Sequence, residues 1–240
     1  HQPMFNFLSM LALSDLGLSL SSLPTMLRIF LFSASIISAN ACFAQEFFIH
    51  GFSKFESSVL LIMSFDRFLA IHNPLRYSSV LTTVRVGQIG MVFFIKSFLL
   101  VFPFPLTLRM LKYCKKSQLS YSYCLHQDVM KLACSDNKVN VIYGFFVALC
   151  GMVDFMLITI SYFLILKTVL RIASQKEQLK ALNTCVSHIC AVIIFYLPII
   201  TLAIVHRFWG YVSPLFSVLM ANLLLLVPPL MNPIIYRMRT

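Results

Sequence analysis

Ionisable side chains stand inside long apolar runs at Asp15, His50, Lys54, Glu56 and Asp154. At mid-membrane an Arg, Lys or Asp costs at least about 2.5–3.5 kcal/mol, so each such group requires a partner, a cavity or a function. His50 and Lys54 are four residues apart and share a helix face, which makes a cationic or hydrogen-bonding stripe with Phe47 a turn before it. Glu56 lies about 200° round the helix from Lys54, so these two cannot pair and the segment has a second, acidic face. Asp15 is the expected partner of that face. Two carboxyls converging in a low-dielectric interior share a proton or hold a cation, unless each is protonated and hydrogen-bonded separately. Lys54 has an alternative use in an ion pair with Asp154, and His50 in a buried hydrogen bond.

A different arrangement closes the same apolar run. In Ser64-Phe65-Asp66-Arg67-Phe68-Leu69-Ala70-Ile71-His72-Asn73-Pro74-Leu75-Arg76-Tyr77, an acidic residue precedes an arginine at the membrane boundary. Such a pair suits a latch: the carboxylate holds the guanidinium in one state and releases it to a partner in another. Catalysis has no comparable signature. There is no Ser-His-Asp constellation, no metal-ligand spacing and no Gly-rich phosphate loop, with only 7 Gly in the chain. The chain is therefore read as a non-enzyme that requires no cofactor and no metal, apart from a cation that Asp15 and Glu56 could hold.

The elements that must position these groups follow from composition. Hydrophobic residues make up 59% of the chain and charged residues 11%, with a mean hydropathy of +0.86, which marks an integral membrane protein. The apolar runs lack the period-two alternation of a barrel, so helices span the bilayer. Six spans are drawn, at roughly 5-31, 40-68, 84-108, 139-168, 182-205 and 212-236, with a long loop at 109-138. An even count puts both ends on one side. Arg67, Arg76, Arg85, Lys167, Arg171, Lys176, Lys180, Arg237 and Arg239 fall on that side, against Arg28, Arg109, Lys112, Lys115, Lys116, Lys131, Lys138 and Arg207 on the other, a bias weaker than usual that favours a cytoplasmic placement of both ends. The net charge of +11 is spread over these short connections, with no basic face on a soluble module, so nucleic acid is not a partner.

Cysteine placement agrees with that orientation. Cys114, Cys124 and Cys134 lie in the long loop, and Cys42 opens the second span at the same face, giving thiols for two bridges in an oxidising lumen. Sequence alone leaves three pairings open. Cys150, Cys185 and Cys190 lie within spans as apolar filler. The chain begins at His1 rather than Met and is read as a piece of a longer protein. No repeat relates its halves, which argues against an inverted-repeat transporter.

Several segments resemble one family in its own order. His1-Gln2-Pro3-Met4-Phe5-Asn6-Phe7-Leu8-Ser9, followed by Leu11-Ala12-Leu13-Ser14-Asp15, resembles the second helix of odorant receptors. The Asp66-Arg67 segment is similar to the signature after the third helix of rhodopsin-like G-protein-coupled receptors in its odorant-receptor form. Lys180-Ala181-Leu182-Asn183-Thr184-Cys185-Val186-Ser187-His188 resembles the start of the sixth helix, and Pro228-Pro229-Leu230-Met231-Asn232-Pro233-Ile234-Ile235-Tyr236 the end of the seventh. The loop text Tyr123-Cys124-Leu125-His126-Gln127 and Ala133-Cys134-Ser135-Asp136 is like that of the class I, or fish-like, branch. Phe68 and His72 depart from the motif, where Tyr and Cys are usual.

This resemblance implies an all-α, rhodopsin-like seven-helix bundle of which the second to seventh helices are present. It implies bridges Cys42–Cys124 and Cys114–Cys134. It also implies that His50 and Arg207 line an odorant pocket in which Arg207 grips a carboxylate; snorkelling beside Trp209 is the plainer use of that arginine, Lys54 a turn below His50 could add a second cation, and Phe47, Ala203 and Ile199 would form the apolar wall that a small ligand requires. Asp66, Arg67, Tyr162 and Tyr236 correspond to the activation residues, and Asp15 and Glu56 to the family's internal sodium site, with Asn232 in its network, which makes them an ion or proton site here. Pro198 supplies a kink for the swing of the sixth helix. The expected function is an odorant receptor of the plasma membrane that binds a small, acidic odorant and activates a heterotrimeric G protein of the olfactory stimulatory type. The alternatives are a transporter or channel for small anions, or a non-functional receptor fragment.

Overall fold

A backbone crossing hydrocarbon must satisfy its own N–H and C=O groups, and the chain does so with helices almost throughout. The computed structural model describes the backbone of residues 2–33, 36–73, 77, 81–114, 119, 121–172, 174–208 and 214–237, and all side chains there except those at 2, 3, 180, 184, 205–208, 214, 215, 217 and 234–237. The helices are α1 (Gln2–Phe32), α2 (Ala39–His72), α3 (Thr83–Val101), α4 (Pro103–Arg109), α5 (His126–Lys131), α6 (Lys138–Val169), α7 (Gln175–Phe208) and α8 (Pro214–Arg237). Among the described residues the sole β pairing is an isolated bridge between Tyr113 and Ala133.

Local chemistry explains the boundaries. Ser38 caps α2 by accepting from the Ala41 N–H at 3.3 Å, and Thr82 caps α3 by accepting from the Arg85 N–H at 3.4 Å. The expected third span is two helices. Pro103, at the first position of α4, donates no N–H to the ladder, and the chain restarts after Phe102. Buried serines are made compatible with the interior by donating back to their own helices, as Ser14 does to the Leu11 carbonyl at 2.8 Å and Ser22 to that of Leu18 at 2.8 Å.

Helix α2 is the axis of the assembly, packed by α1, α3, α4, α6 and α7, while α8 joins α1 to α7. By length and apolarity, four stretches of the described residues suffice to cross a membrane: Met4–Phe32, Thr83–Arg109, Lys138–Val169 and Gln175–Ile204. The central helix is not among them because it carries Glu46, Lys54, Glu56, Asp66 and Arg67; its neighbours, not its composition, shield it from lipid. Its core contacts include Phe55, Val59, Leu60 and Met63, packed with Phe7, Leu11, Ile158 and Phe195. A Cβ at Gly51 would come within 2.6 Å of the Phe98 ring, so the close approach of α3 to α2 depends on that glycine.

The loop between α4 and α6 folds back onto the bundle. Disulfides join Cys42 to Cys124 and Cys114 to Cys134, with Cα separations of 5.5 and 6.0 Å. Tyr123 is 1% exposed and donates to the Ala221 carbonyl at 2.8 Å; Tyr113 donates to that of Leu108 at 2.9 Å. Burial pushes both phenols up from their ordinary values, so each hydroxyl stays protonated and remains a donor. The loop also contains α5, a helical turn that hydropathy alone does not announce.

Candidate functional site

At the disulfide-bearing end, the Cys42–Cys124 bridge sets the register of the loop against α2. Residues one turn along α2 from Cys42 then meet the residues just after Cys124. Gln45 accepts from the Cys124 N–H at 3.0 Å while its amide donates to the Ser21 carbonyl and Thr25 hydroxyl, both at 2.9 Å. Glu46, fully buried, hydrogen-bonds His126 Nδ1 at 2.6 Å. The His126 ring stacks on Phe104 at 4.1 Å, and His50, one turn below Glu46, meets Phe104 edge-on at 5.3 Å. Glu46 Oε2, His50 Nε2 and His126 Nε2 are buried without a hydrogen-bond partner among the described residues. Buried polar atoms normally have partners, so a nest of this kind fits a hydrogen-bonding guest or bound water.

Lys54 is placed differently from His50. Its ammonium contacts Asp154 Oδ2 at 2.8 Å, and the same oxygen accepts from Ser57 at 3.0 Å, whose hydroxyl is 2.7 Å from that of Tyr196. The network ties α2 to α6 and α7. Of the two uses that the sequence leaves open for Lys54, a second cation for a ligand or a partner for Asp154, the geometry shows the ion pair with Asp154. Phe47 is also turned from the nest, in edge contact with Phe48, Phe98 and Phe102 on the outer side of α2. Ile199 packs half-buried against the core and Ala203 is exposed. Arg207 lies on α7, with its side chain outside the described residues.

Deeper in the bundle, the Asn232 amide donates to both Asp15 oxygens at 3.1 and 3.2 Å and also reaches Glu56. Glu56 is 1% exposed and its Oε2 has no partner among the described residues. The described residues contain no group of three His, Cys, Asp or Glu side chains suited to a metal. Two carboxyls, an amide and one orphaned oxygen fit a proton or a single hard monovalent cation rather than a transition metal.

At the opposite end, Asp66 is 2% exposed, accepts from the Tyr77 hydroxyl at 2.8 Å, and lies 4.0 Å from Arg67 Nε. Burial and the Asp66 carboxylate both push the Tyr77 phenol up, so it remains a donor. The Tyr162 hydroxyl is hydrogen-bonded to His188 Nδ1 across α6 and α7. Phe68 and His72, the two departures from the family motif, lie one turn apart with ring centroids 5.1 Å from each other. The Tyr236 side chain is outside the described residues.

Sequence reasoning passed over Gln45, Glu46, His126, Ser57, Tyr77, His188 and Tyr196. Two signals were available. Glu46 is four residues before His50, on the same face, and His126 is two residues beyond a bridged cysteine. Once Cys42 is joined to Cys124, their meeting follows from helical spacing.

A helical membrane bundle with a polar central helix, a disulfide-stapled loop over one end and an Asp-Arg pair at the other has the character of a rhodopsin-like G-protein-coupled receptor. The family model described as "Olfactory receptor" matches residues 1–240, and the chain belongs to that family, in its class I branch. It is 80% identical to olfactory receptor 51A4 of Homo sapiens, 78% to 51A2 and 71% to 51A7, over 240 residues in each case. Each alignment covers all of this chain and 77% of the relative. The family consists of multi-pass membrane receptors for odorants that signal through G proteins, so neither an enzyme nor a transporter reading stands.

Proposed function

We propose that the receptor takes a small odorant carrying a carboxylate, anchored between His50 and Arg207 beneath the loop, and couples to a stimulatory olfactory-type heterotrimeric G protein at the plasma membrane. The observation that carries this reading is the nest of unpartnered polar atoms around His50, closed above by the loop through Cys124 and His126. A carboxylate would accept from His50 while a guanidinium on α7 grips it bidentately. Lys54 supports the ligand indirectly, through the ion pair that sets α6 and α7 against α2. Asp15, Glu56 and Asn232 form the ion or proton site, and Asp66, Arg67, Tyr162 and Tyr236 the G-protein end, with the loop 109-138 and its bridges extracellular and both ends of the chain cytoplasmic.

Coupling over that distance requires that the ligand bind the signalling state more tightly than the resting one. The test is second-messenger output from cells expressing the full-length receptor, measured against straight-chain carboxylic acids and their alcohols and methyl esters. Acids are expected to activate and esters to fail. Arg207→Ala should shift the half-maximal concentration at least about tenfold, the worth of a charge-assisted hydrogen bond, with surface expression unchanged. Equal responses to acid and ester, or an unmoved dose-response in Arg207→Ala, would remove the carboxylate anchor while leaving family membership untouched.

A further inference from the structure

On the outside of the bundle, at the disulfide-bearing end, α2 and α4 part to leave an open groove of about 160 Å³. Phe43, Phe47, Phe48 and Phe102 form its walls, with Asn40 and Arg109 at the helix ends that bound it. It is separate from the nest around His50: the Phe47 ring packs on Phe98 and Phe102, the His50 ring on Phe104.

We propose that this groove binds a membrane phospholipid, with the phosphodiester on Arg109 and an acyl chain along the aromatic wall. The surrounding face is exposed and apolar, with Phe48, Phe102, Leu106 and Leu99 between 45% and 66% exposed. In a multi-pass membrane protein such a face meets hydrocarbon, so the groove's occupant is a lipid. Arg109 ends the apolar stretch Thr83–Arg109, where a long cationic side chain reaches headgroup level. Its guanidinium has five donors, yet its recorded contact is the Asn40 amide oxygen at 3.5 Å, beyond the usual hydrogen-bond range. The ion pairs among the described residues are Lys54–Asp154, Arg67–Asp66, His126–Glu46 and Lys138–Asp136, so no carboxylate neutralises it there. A phosphate uses the guanidinium fork bidentately; a sterol hydroxyl does not, and free phosphate leaves the aromatic wall uncovered.

The experiment is photo-crosslinking of the receptor in phosphatidylcholine nanodiscs doped with phosphatidylcholine that carries a diazirine on one acyl chain, with adducts mapped by mass spectrometry. Adducts are expected to concentrate on Phe43 to Phe48 and Phe102 relative to the exposed Phe146 and Val153 of α6. Arg109→Gln should lower the groove adducts about tenfold, in line with loss of hydrogen bonds to a charged group, without changing those on α6. Arg109→Lys should retain part of the enrichment. A diazirine diacylglycerol with the same chains and no phosphate should show none. Equal labelling of both faces, indifference to Arg109→Gln, or equal enrichment of the diacylglycerol overturns the proposal.

Discussion

Breaking the Lys54–Asp154 pair is expected to be far more costly than deleting it whole. The two side chains are 2.8 Å apart and only 10% and 11% exposed. At an effective dielectric constant of about 20, unit charges at that separation attract by about 6 kcal/mol, largely offset by the loss of their hydration. Lys54→Met leaves the Asp154 carboxylate with the Ser57 hydroxyl as its donor among the described residues, and Asp154→Leu removes the carboxylate that pairs with the Lys54 ammonium inside the bundle. Each single change should therefore cost about 3–5 kcal/mol, while the double replacement by apolar side chains should return to within about 1 kcal/mol of the starting protein. Thermal unfolding of the four proteins in one detergent reads this as a fall of roughly 6–20 °C for each single variant and near-recovery in the double, at 2–4 °C per kcal/mol for a chain of this size. Single variants that melt with the parent, or a double variant that loses the sum of both, would refute the reasoning.

Two further outcomes follow from the other polar clusters. Tyr77→Phe removes the 2.8 Å donor that competes with Arg67, 4.0 Å away, for the Asp66 carboxylate, which shifts that competition towards the arginine; ligand-independent second-messenger output should fall, and a rise would contradict the latch. If the orphaned Glu56 oxygen belongs to a cation site, sodium at ten times its Kd should stabilise the receptor by about 1.4 kcal/mol relative to choline. That difference should vanish in Glu56→Gln, as measured by melting temperature, and a parent protein indifferent to sodium would leave only the proton reading.

The all-helical architecture was legible because a membrane leaves few choices: long apolar runs must be helices, and Pro and polar residues mark their ends. What hydropathy could not convey was hierarchy among the helices. Nothing in the composition of α2 says that it is central; its charged residues acquire meaning only once five neighbours are seen to surround it. The polar clusters were partly legible for the same reason. Asp15, Glu56 and Asn232 could be matched to one another because each is conspicuous in an apolar run, whereas Tyr77, Tyr196 and His126 are unremarkable residues whose partners lie 11, 139 and 80 positions away. Pro103 is visible in the sequence, but apolarity runs unbroken across Phe102 and Pro103, so hydropathy predicts one continuous span where the chain forms two helices. Side-chain direction was the weakest inference: Phe47 precedes His50 by three residues, yet their rings face α3 and Phe104 respectively.

The polarity of α2 also bears on how the protein is made. A segment carrying Glu46, Lys54, Glu56, Asp66 and Arg67 is a poor substrate for one-at-a-time release into lipid, since each charge near mid-depth adds roughly 2.5–3.5 kcal/mol to its transfer. Asp154 on α6, the partner of Lys54, and Tyr196 on α7, which joins the same network through Ser57, are synthesised afterwards, so Lys54 lacks its Asp154 counter-charge until α6 emerges. Variants that weaken those later contacts should therefore be retained in the endoplasmic reticulum, a biogenesis defect rooted in the same groups that couple the helices of the finished receptor.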